Sequence, residues 1–215
     1  TSPFVAEVLR GSFPGLELRA SVNMRIGTVQ GMEMLVDLFD GFYAQRDFNR
    51  DPGRLAELRE WTRARGKKLC LLVNSGCLAF CSGQSFHDNL VAHEAELRGG
   101  PGSPRELLTC RRFLARESNW PAILSATWVR PEDLARYEGL ADICKLATRM
   151  HRNPRMVIAA YARARHRGNL LDLLEPGHGD RLPGAWIDAS AFPDDWFERT
   201  TSCARKCDAW GYCRG

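Results

Sequence analysis

Short apolar strands alternate with amphipathic helices along this chain, and no other feature constrains its fold as much. Apolar runs predict strands over residues 16–22, 42–44, 68–73, 122–129 and 143–147. Helices are predicted to follow four capping residues, Thr28, Asp51, Ser85 and Asn153. Such alternation is typical of a parallel sheet covered by helices. No G-x-G-x-x-G motif follows any of these strands, so a dinucleotide-binding fold has no support.

The number of strand–helix units sets an expectation for the overall architecture. A complete β/α barrel has eight units over roughly 250 residues, whereas this chain has 215 residues and five predicted strands. The sequence therefore predicts an α/β fold of the (β/α) TIM-barrel-like type that is incomplete and corresponds to the C-terminal part of a barrel. Residues 1–175 would form this partial barrel. Residues 176–215 would form an irregular cysteine-rich tail that folds back on it.

Polar side chains follow the predicted strands, at the end where a β/α barrel carries its active site. They are Asn23, Arg25, Gln45, Arg46, Asn74, Arg130, Lys145, Thr148 and Arg149. For each residue alone, capping or solvating a loop is an equal alternative. Their recurrence after successive strands favours a functional site at this edge of the sheet.

Eight cysteines are unusual for a chain of this length, and six of them fall into two groups. An even number in a small secreted domain would indicate disulfides, but a larger helix–strand protein favours metal or cluster ligation. A [4Fe–4S] cluster and a structural zinc ion fit the spacing equally well. The two remaining cysteines, Cys70 and Cys144, lie in apolar strands and are predicted to be buried thiols. The candidate ligands are Cys77, Cys81 and Cys110, and Cys203, Cys207 and Cys213.

The histidines add one functional candidate and no hydrolase motif. His87 lies one turn after the first cysteine pair, and His93 is predicted to pack on the apolar face of its helix. His93-Glu94 begins like H-E-x-x-H, but Leu97 stands where the second histidine would fall. There is no G-x-S-x-G motif either. A hydrolase with one of the usual nucleophiles or metals is therefore unsupported.

Charge and hydropathy limit the kinds of partner that the protein is expected to bind. Thirty basic and 26 acidic residues give a net charge of +4, and the run Arg163, Arg165 and Arg167 favours a solvated helix face over a nucleic-acid surface. RNA contact stays an alternative. No apolar stretch approaches the roughly 18–20 residues needed to span a bilayer, and no secretory leader is visible. We expect a cytoplasmic protein without membrane contact.

Several segments, taken in order, resemble the peptidase U32 family over about residues 15–175. Lys145-Leu146-Ala147-Thr148-Arg149 is similar to the family's Lys-Ile-Glu-Gly-Arg, with Ala147 in place of the glutamate. As in the family, a helix of the Val-x-x-Ala-Tyr type follows. The other matching segments are Ala20-Ser21-Val22-Asn23, Ala44-Gln45-Arg46-Asp47 and Leu72-Val73-Asn74-Ser75-Gly76-Cys77.

This resemblance implies a β/α barrel with a [4Fe–4S] cluster and oxygen-independent hydroxylation, or a related modification, of a small or RNA substrate. The chain has no cysteine near Ala135, where the family's last ligand would fall. We therefore expect Cys77, Cys81 and Cys110 as ligands, with the fourth from Cys203, Cys207 or Cys213. A zinc-binding non-catalytic module, or a peptidase as the family name suggests, is the alternative. A protein partner subunit is also compatible with this resemblance. The residues expected to bind a polar or anionic substrate are Asn23, Arg46, His87, Arg130 and Arg149.

Overall fold

Four short parallel strands form the centre of the protein. The computed structural model describes residues 2–93, 108–179, 182–207 and 211–214. The strands are β1 (Arg19–Ala20), β2 (Gly41–Tyr43), β3 (Lys68–Leu72) and β4 (Ile143–Lys145). They lie in the order β1-β2-β3-β4, and each neighbouring pair is parallel. The predicted parallel α/β class is therefore confirmed. The described sheet is open, with β1 and β4 at its edges, so a closed barrel is not shown.

Seven α-helices accompany the sheet in the described ranges. Three predicted caps are confirmed: the side chains of Thr28, Asp51 and Asn153 accept backbone N–H bonds at 3.0, 3.0 and 3.1 Å. These bonds satisfy amides that the first helical turn leaves unpaired. The helices are α1 (Pro3–Ser12), α2 (Val29–Glu33), α3 (Pro52–Ala64), α4 (Gln84–Ala92), α5 (Thr109–Leu114), α6 (Pro154–Ala162) and α7 (Trp196–Thr201).

Three local predictions are wrong. Ser85 does not cap α4, because the helix already includes Gln84 and Gly83 precedes it. His93, predicted to pack on the apolar face of its helix, is exposed, and Leu97 lies outside the described residues. The strand predicted over residues 122–129 is absent: its start belongs to the 3₁₀ helix Glu117–Ile123, which contains Pro121. A proline has no N–H to donate to a sheet ladder.

The main core lies on one face of the sheet, where β2 and β3 meet α3. Phe42, Leu69 and Leu71 are fully buried, and Phe42 packs edge-on against Trp61 of α3 at 5.8 Å. Cys70 points to the opposite face, in a smaller cluster with Tyr43. Cys70 is fully buried as predicted, but Cys144 is exposed. Cys144 was expected inside the core and lies instead on the edge strand β4.

A stack of aromatic rings and one arginine joins the C-terminal segment to this core. Trp128 is fully buried and lies parallel to Trp196 of α7, with ring centroids 5.9 Å apart. The Arg50 guanidinium carbon lies 4.2 Å from the Trp128 ring centroid, and Phe192 contacts both indoles edge-on. The segment after residue 176 therefore contributes directly to the core. The division into residues 1–175 and 176–215 stays a prediction.

Burial of Cys70 has a chemical consequence. It raises the pKa of the thiol to about 11, and only the thiolate reacts with alkylating agents. The surroundings of Cys144 also raise its pKa, but that residue is exposed whereas Cys70 is fully buried. We therefore expect iodoacetamide at pH 8 to leave Cys70 unmodified in the native protein while Cys144 is labelled. Peptide mass spectrometry measures both sites, and prior unfolding in guanidinium should make them equally reactive. Equal labelling of the native protein would contradict the burial of Cys70.

Among the described residues, no helix is long and apolar enough to cross a membrane.

Candidate cysteine and arginine site

Three side chains that follow three neighbouring strands meet at the carboxyl edge of the sheet. Asn23 follows β1, Arg46 follows β2 and Cys77 follows β3. Arg46 Nη2 donates to Asn23 Oδ1 at 2.7 Å, and Arg46 Nη1 lies 3.0 Å from Cys77 Sγ, to which it donates. The expectation that polar residues after successive strands converge is met for these three.

The Arg46 guanidinium is enclosed by its partners. Arg46 is only 7% exposed, and Gln84, at the start of α4, is 4% exposed. With its amide oxygen turned toward Arg46, Gln84 accepts from Nε at 3.0 Å and from Nη2 at 3.2 Å. Asn23 and Gln84 therefore hold the planar guanidinium, and one of its two Nη1 N–H groups points at the Cys77 sulfur. N–H donors to sulfur are among the contacts that tune ligated thiolates in iron–sulfur proteins.

Asp47 holds the loop that carries the first cysteine pair. Its carboxylate is buried, and it accepts from Gln45 Nε2 at 2.7 Å and from the backbone N–H of Phe80. Phe80 lies between Cys77 and Cys81 and has a left-handed backbone with φ of 53°, a conformation that non-glycine residues seldom adopt. The bond that Asp47 accepts from Phe80 fixes the turn between the two cysteines, and the bond from Gln45 holds the carboxylate in place.

Cys110 joins this pair from α5. A Cβ at Gly83 would lie 2.6 Å from Thr109 Oγ1, so the start of α4 directly contacts the start of α5. Burial raises the pKa of Cys110, and the neighbouring charges of Cys81 and Cys77 raise it further. Cys110 therefore lies near Cys77 and Cys81, and these three residues are called the loop cysteines below; that they bind one metal or cluster stays a prediction.

Cys203, Cys207 and Cys213, the tail cysteines, form a second group. Burial raises the pKa of Cys213, Arg50 opposes that shift, and Cys207 and Cys203 add to it. All three line a cavity of about 340 Å³. Phe80 from the cysteine loop also lines this cavity, and Arg205 lies over the Phe80 ring at 4.6 Å. Cys213 therefore lies with the other tail cysteines, in a group that adjoins the cysteine loop.

The described residues limit which cofactor can be held. Within them, no three His, Cys, Asp or Glu side chains are close enough to hold one metal ion. A tetrahedral zinc site, with Zn–S distances of about 2.3 Å, is therefore not preassembled here. The thiolates of a [4Fe–4S] cluster bind different irons and stand farther apart than the ligands of a single ion.

The remaining predicted substrate residues lie apart from this centre. His87 is half-buried on α4. Arg130 lies 3.6 Å from Glu132 and 3.8 Å from Asp133, and packs over Phe192. Arg149 is exposed in the loop after β4. Arg130 is therefore paired with carboxylates of its own segment.

Four further residues belong to the site but were not singled out from the sequence. Gln84 accepts hydrogen bonds from Arg46. Arg50 lines the cavity beside the tail cysteines, and Arg205 lies over the Phe80 ring. His178, buried, lies with Nε2 at 2.7 Å from the carbonyl of Gly76, next to Cys77. Gln84 could have been found from its position just after Cys81. The others come from distant segments and carry no local signal.

The fold and the site together define a parallel α/β protein with a cysteine and arginine centre at the carboxyl edge of its sheet. A relative in Methanocaldococcus jannaschii, named "Uncharacterized protease MJ1657", is 31% identical over 169 residues, covering 77% of this chain and 48% of that protein. This homology is consistent with the peptidase U32 resemblance and bears it out. The chain spans about half the length of this relative. No family model matches the chain, and no solved structure matches it.

Proposed function

We propose that the protein is a U32-like iron–sulfur enzyme whose [4Fe–4S] cluster is bound by Cys77, Cys81 and Cys110. The observation that supports this proposal is the contact of the buried Arg46 with Cys77 at 3.0 Å, at a loop whose Cys77 and Cys81 lie near enough to Cys110 to raise its pKa. The fourth thiolate would come from the tail cysteines, with Cys213 as the candidate. The stacking of Arg205 on Phe80 supports this, because it brings the tail against the cysteine loop.

A bound cluster would supply electron transfer at a potential set by burial and by hydrogen bonds to its sulfurs. The chain itself contributes positioning and charge. Asp47 fixes the cysteine loop, Gln84 and Asn23 fix Arg46, and Arg46 directs one N–H at Cys77. Arginines beside the cysteines would attract an anionic group and orient it.

The reaction we propose is an oxygen-independent hydroxylation or related modification. A cavity of about 340 Å³ suits a small polar or anionic substrate better than a polymer. RNA as substrate and a protein partner subunit are further possibilities under this proposal. A cytoplasmic location accords with eight cysteines that are all free thiols, because disulfides persist in oxidising compartments.

A peptidase is the second candidate function, and the observation that favours it is the word "protease" in the relative's name. The two functions differ in their dependence on the loop cysteines. Peptide cleavage that survives replacement of Cys77 would support the peptidase. A zinc-binding module would give colourless protein with stoichiometric zinc.

The proposed cluster is tested by anaerobic purification with iron and sulfide analysis. We expect brown protein with about four irons per chain, and we expect Cys77→Ser to lose most of this iron and its visible absorption. Cys144→Ser is the matched control, because Cys144 is exposed on β4 and belongs to neither cysteine group. Full iron content in Cys77→Ser would remove the ligand assignment. Iron loss in Cys213→Ser would identify the fourth ligand.

A further inference from the structure

Arg46 carries a buried positive charge that no carboxylate balances within the described ranges. The side chain is 7% exposed, and a guanidinium stays protonated in proteins. Its polar partners there are two neutral amides, those of Asn23 and Gln84, and the sulfur of Cys77. An enclosed charge is costly unless an opposite charge lies against it. Cys77 is the partner that can supply one, because a cysteine that binds metal does so as a thiolate.

The hydrogen bonds of Arg46 leave little of the guanidinium for a substrate. Gln84 accepts from Nε at 3.0 Å and from Nη2 at 3.2 Å, which occupies one edge of the group. Asn23 accepts from Nη2 at 2.7 Å and Cys77 from Nη1 at 3.0 Å, which occupies the other edge. A bidentate bond to a carboxylate or phosphate needs two parallel N–H groups on one edge. The geometry therefore favours a role of Arg46 toward the sulfur over the predicted role toward a substrate.

Separate elements fix the position of this charge. Arg46 begins the 3₁₀ helix that follows β2, Asn23 lies in the 3₁₀ helix that follows β1, and Gln84 begins α4. Gln84 is 4% exposed, so it has little freedom to turn away. A charge that is held in place and shielded from water acts on its neighbour more strongly than an exposed one, because solvent and salt screen it less.

We infer that Arg46 raises the reduction potential of the cluster that Cys77 binds, and so makes it easier to reduce. The inference rests on the proposed function and adds to it the residue that sets the redox state of the site. Reduction adds one electron, taken from an external reductant such as dithionite, and breaks no bond. Arg46 stabilises the reduced state more than the oxidised state, because its attraction to the ligated sulfur grows with the negative charge there.

The first test replaces Arg46 in the full chain, purified anaerobically. A dithionite titration followed by electron paramagnetic resonance measures the midpoint potential. Arg46→Gln should disfavour the reduced state about tenfold, which lowers the potential by about 59 mV for a one-electron couple. Arg46→Lys keeps the charge but cannot reach Asn23, Gln84 and Cys77 together. Its potential should therefore lie between those of Arg46→Gln and the native protein.

The second test neutralises Arg46 without replacing it. Gln84→Glu has nearly the same shape and places a carboxylate against the guanidinium, where the Gln84 oxygen now accepts. It should lower the potential by a similar amount while the cysteine loop keeps its contacts. Asn89→Asp is the matched control, because it adds the same charge to α4 at an exposed position, and its potential should equal that of the native protein. An equal fall in Asn89→Asp would show that Arg46 is not what Gln84→Glu acts on.

Iron analysis of each protein separates failure of this inference from failure of the proposed function. Unchanged potentials in Arg46→Gln and Gln84→Glu, with full iron in both, would overturn the inference alone. Loss of iron from both variants would also overturn it, because these side chains would then hold the cysteine loop rather than adjust a bound cluster. Iron lost from Arg46→Gln only, with a lower potential in Gln84→Glu, would still support it. Native protein that takes up no iron would reject the proposed function and, with it, the inference.

Discussion

Replacement of Trp128 by alanine is expected to lower the free energy of unfolding by about 3–5 kcal/mol. Trp128 is fully buried, and its indole N–H donates to the carbonyl of Ile123 at 2.8 Å. Its ring lies parallel to the Trp196 ring at 5.9 Å, and the Arg50 guanidinium lies near both, 4.2 Å from the Trp128 centroid and 5.5 Å from that of Trp196. Truncation would therefore leave a large cavity and remove the cation–π contact of an enclosed arginine.

Urea unfolding followed by circular dichroism measures this effect. Trp186→Ala is the matched control, because Trp186 is 66% exposed, and its cost should stay within about 0.5 kcal/mol. A similar small cost at both positions would contradict the packing of the C-terminal segment on Trp128. A larger loss at Trp128 accompanied by exposure of the tail to proteolysis would show that this stack fastens the tail to the core.

The elements that the sequence predicted well are those with local causes. Thr28, Asp51 and Asn153 cap helices through bonds to amides two or three residues away, so their spacing alone identifies the helix starts. Strands β2 and β3 were predicted within a residue or two, because an apolar run between polar turns is a short-range pattern.

The elements that the sequence did not predict depend on contacts between distant segments. The run before Trp128 is as apolar as a strand, yet Pro121 and the indole bond to Ile123 turn its start into a 3₁₀ helix. The residues of β1 and β4 do not themselves determine whether these strands pair on both sides or lie at an edge of the sheet. Cys144 illustrates the consequence, because an apolar strand at a sheet edge leaves its cysteine exposed.

The candidate site also has one part that could be predicted from the sequence and one part that could not. Asn23, Arg46 and Cys77 could be grouped from sequence, because parallel strands bring their carboxyl ends to one edge. The partnership of Arg50 with Trp128 and Trp196 could not, since these residues are far apart in the chain and none has an unusual neighbour. The position of the tail cysteines beside Phe80 was equally hidden, because spacing within a tail does not specify where the tail docks.

Removal of the Asp47 carboxylate is expected to release the cysteine loop. In Asp47→Ala, the Phe80 amide and the Gln45 side chain lose their acceptor, and each buried donor left unpaired costs about 1–3 kcal/mol. Without this bond the left-handed conformation of Phe80, which non-glycine residues seldom adopt, loses a hydrogen bond that stabilises it. We expect faster hydrogen exchange of the amides from residue 77 to 81 and a lower iron content after anaerobic reconstitution.

Asp47→Asn separates the geometry of this contact from its charge. The asparagine carbonyl can still accept from Phe80, and a rotated Gln45 amide can accept from the new NH₂ group, so both bonds have a substitute. If the role of Asp47 is to hold the loop, Asp47→Asn should keep most of the native exchange protection and iron content while Asp47→Ala loses both. Equal losses in the two variants would mean that the negative charge is what matters, either against Arg205 or at the cluster. Protection lost in Asp47→Ala with full iron retained would show that the cysteine ligands do not need the loop in this conformation.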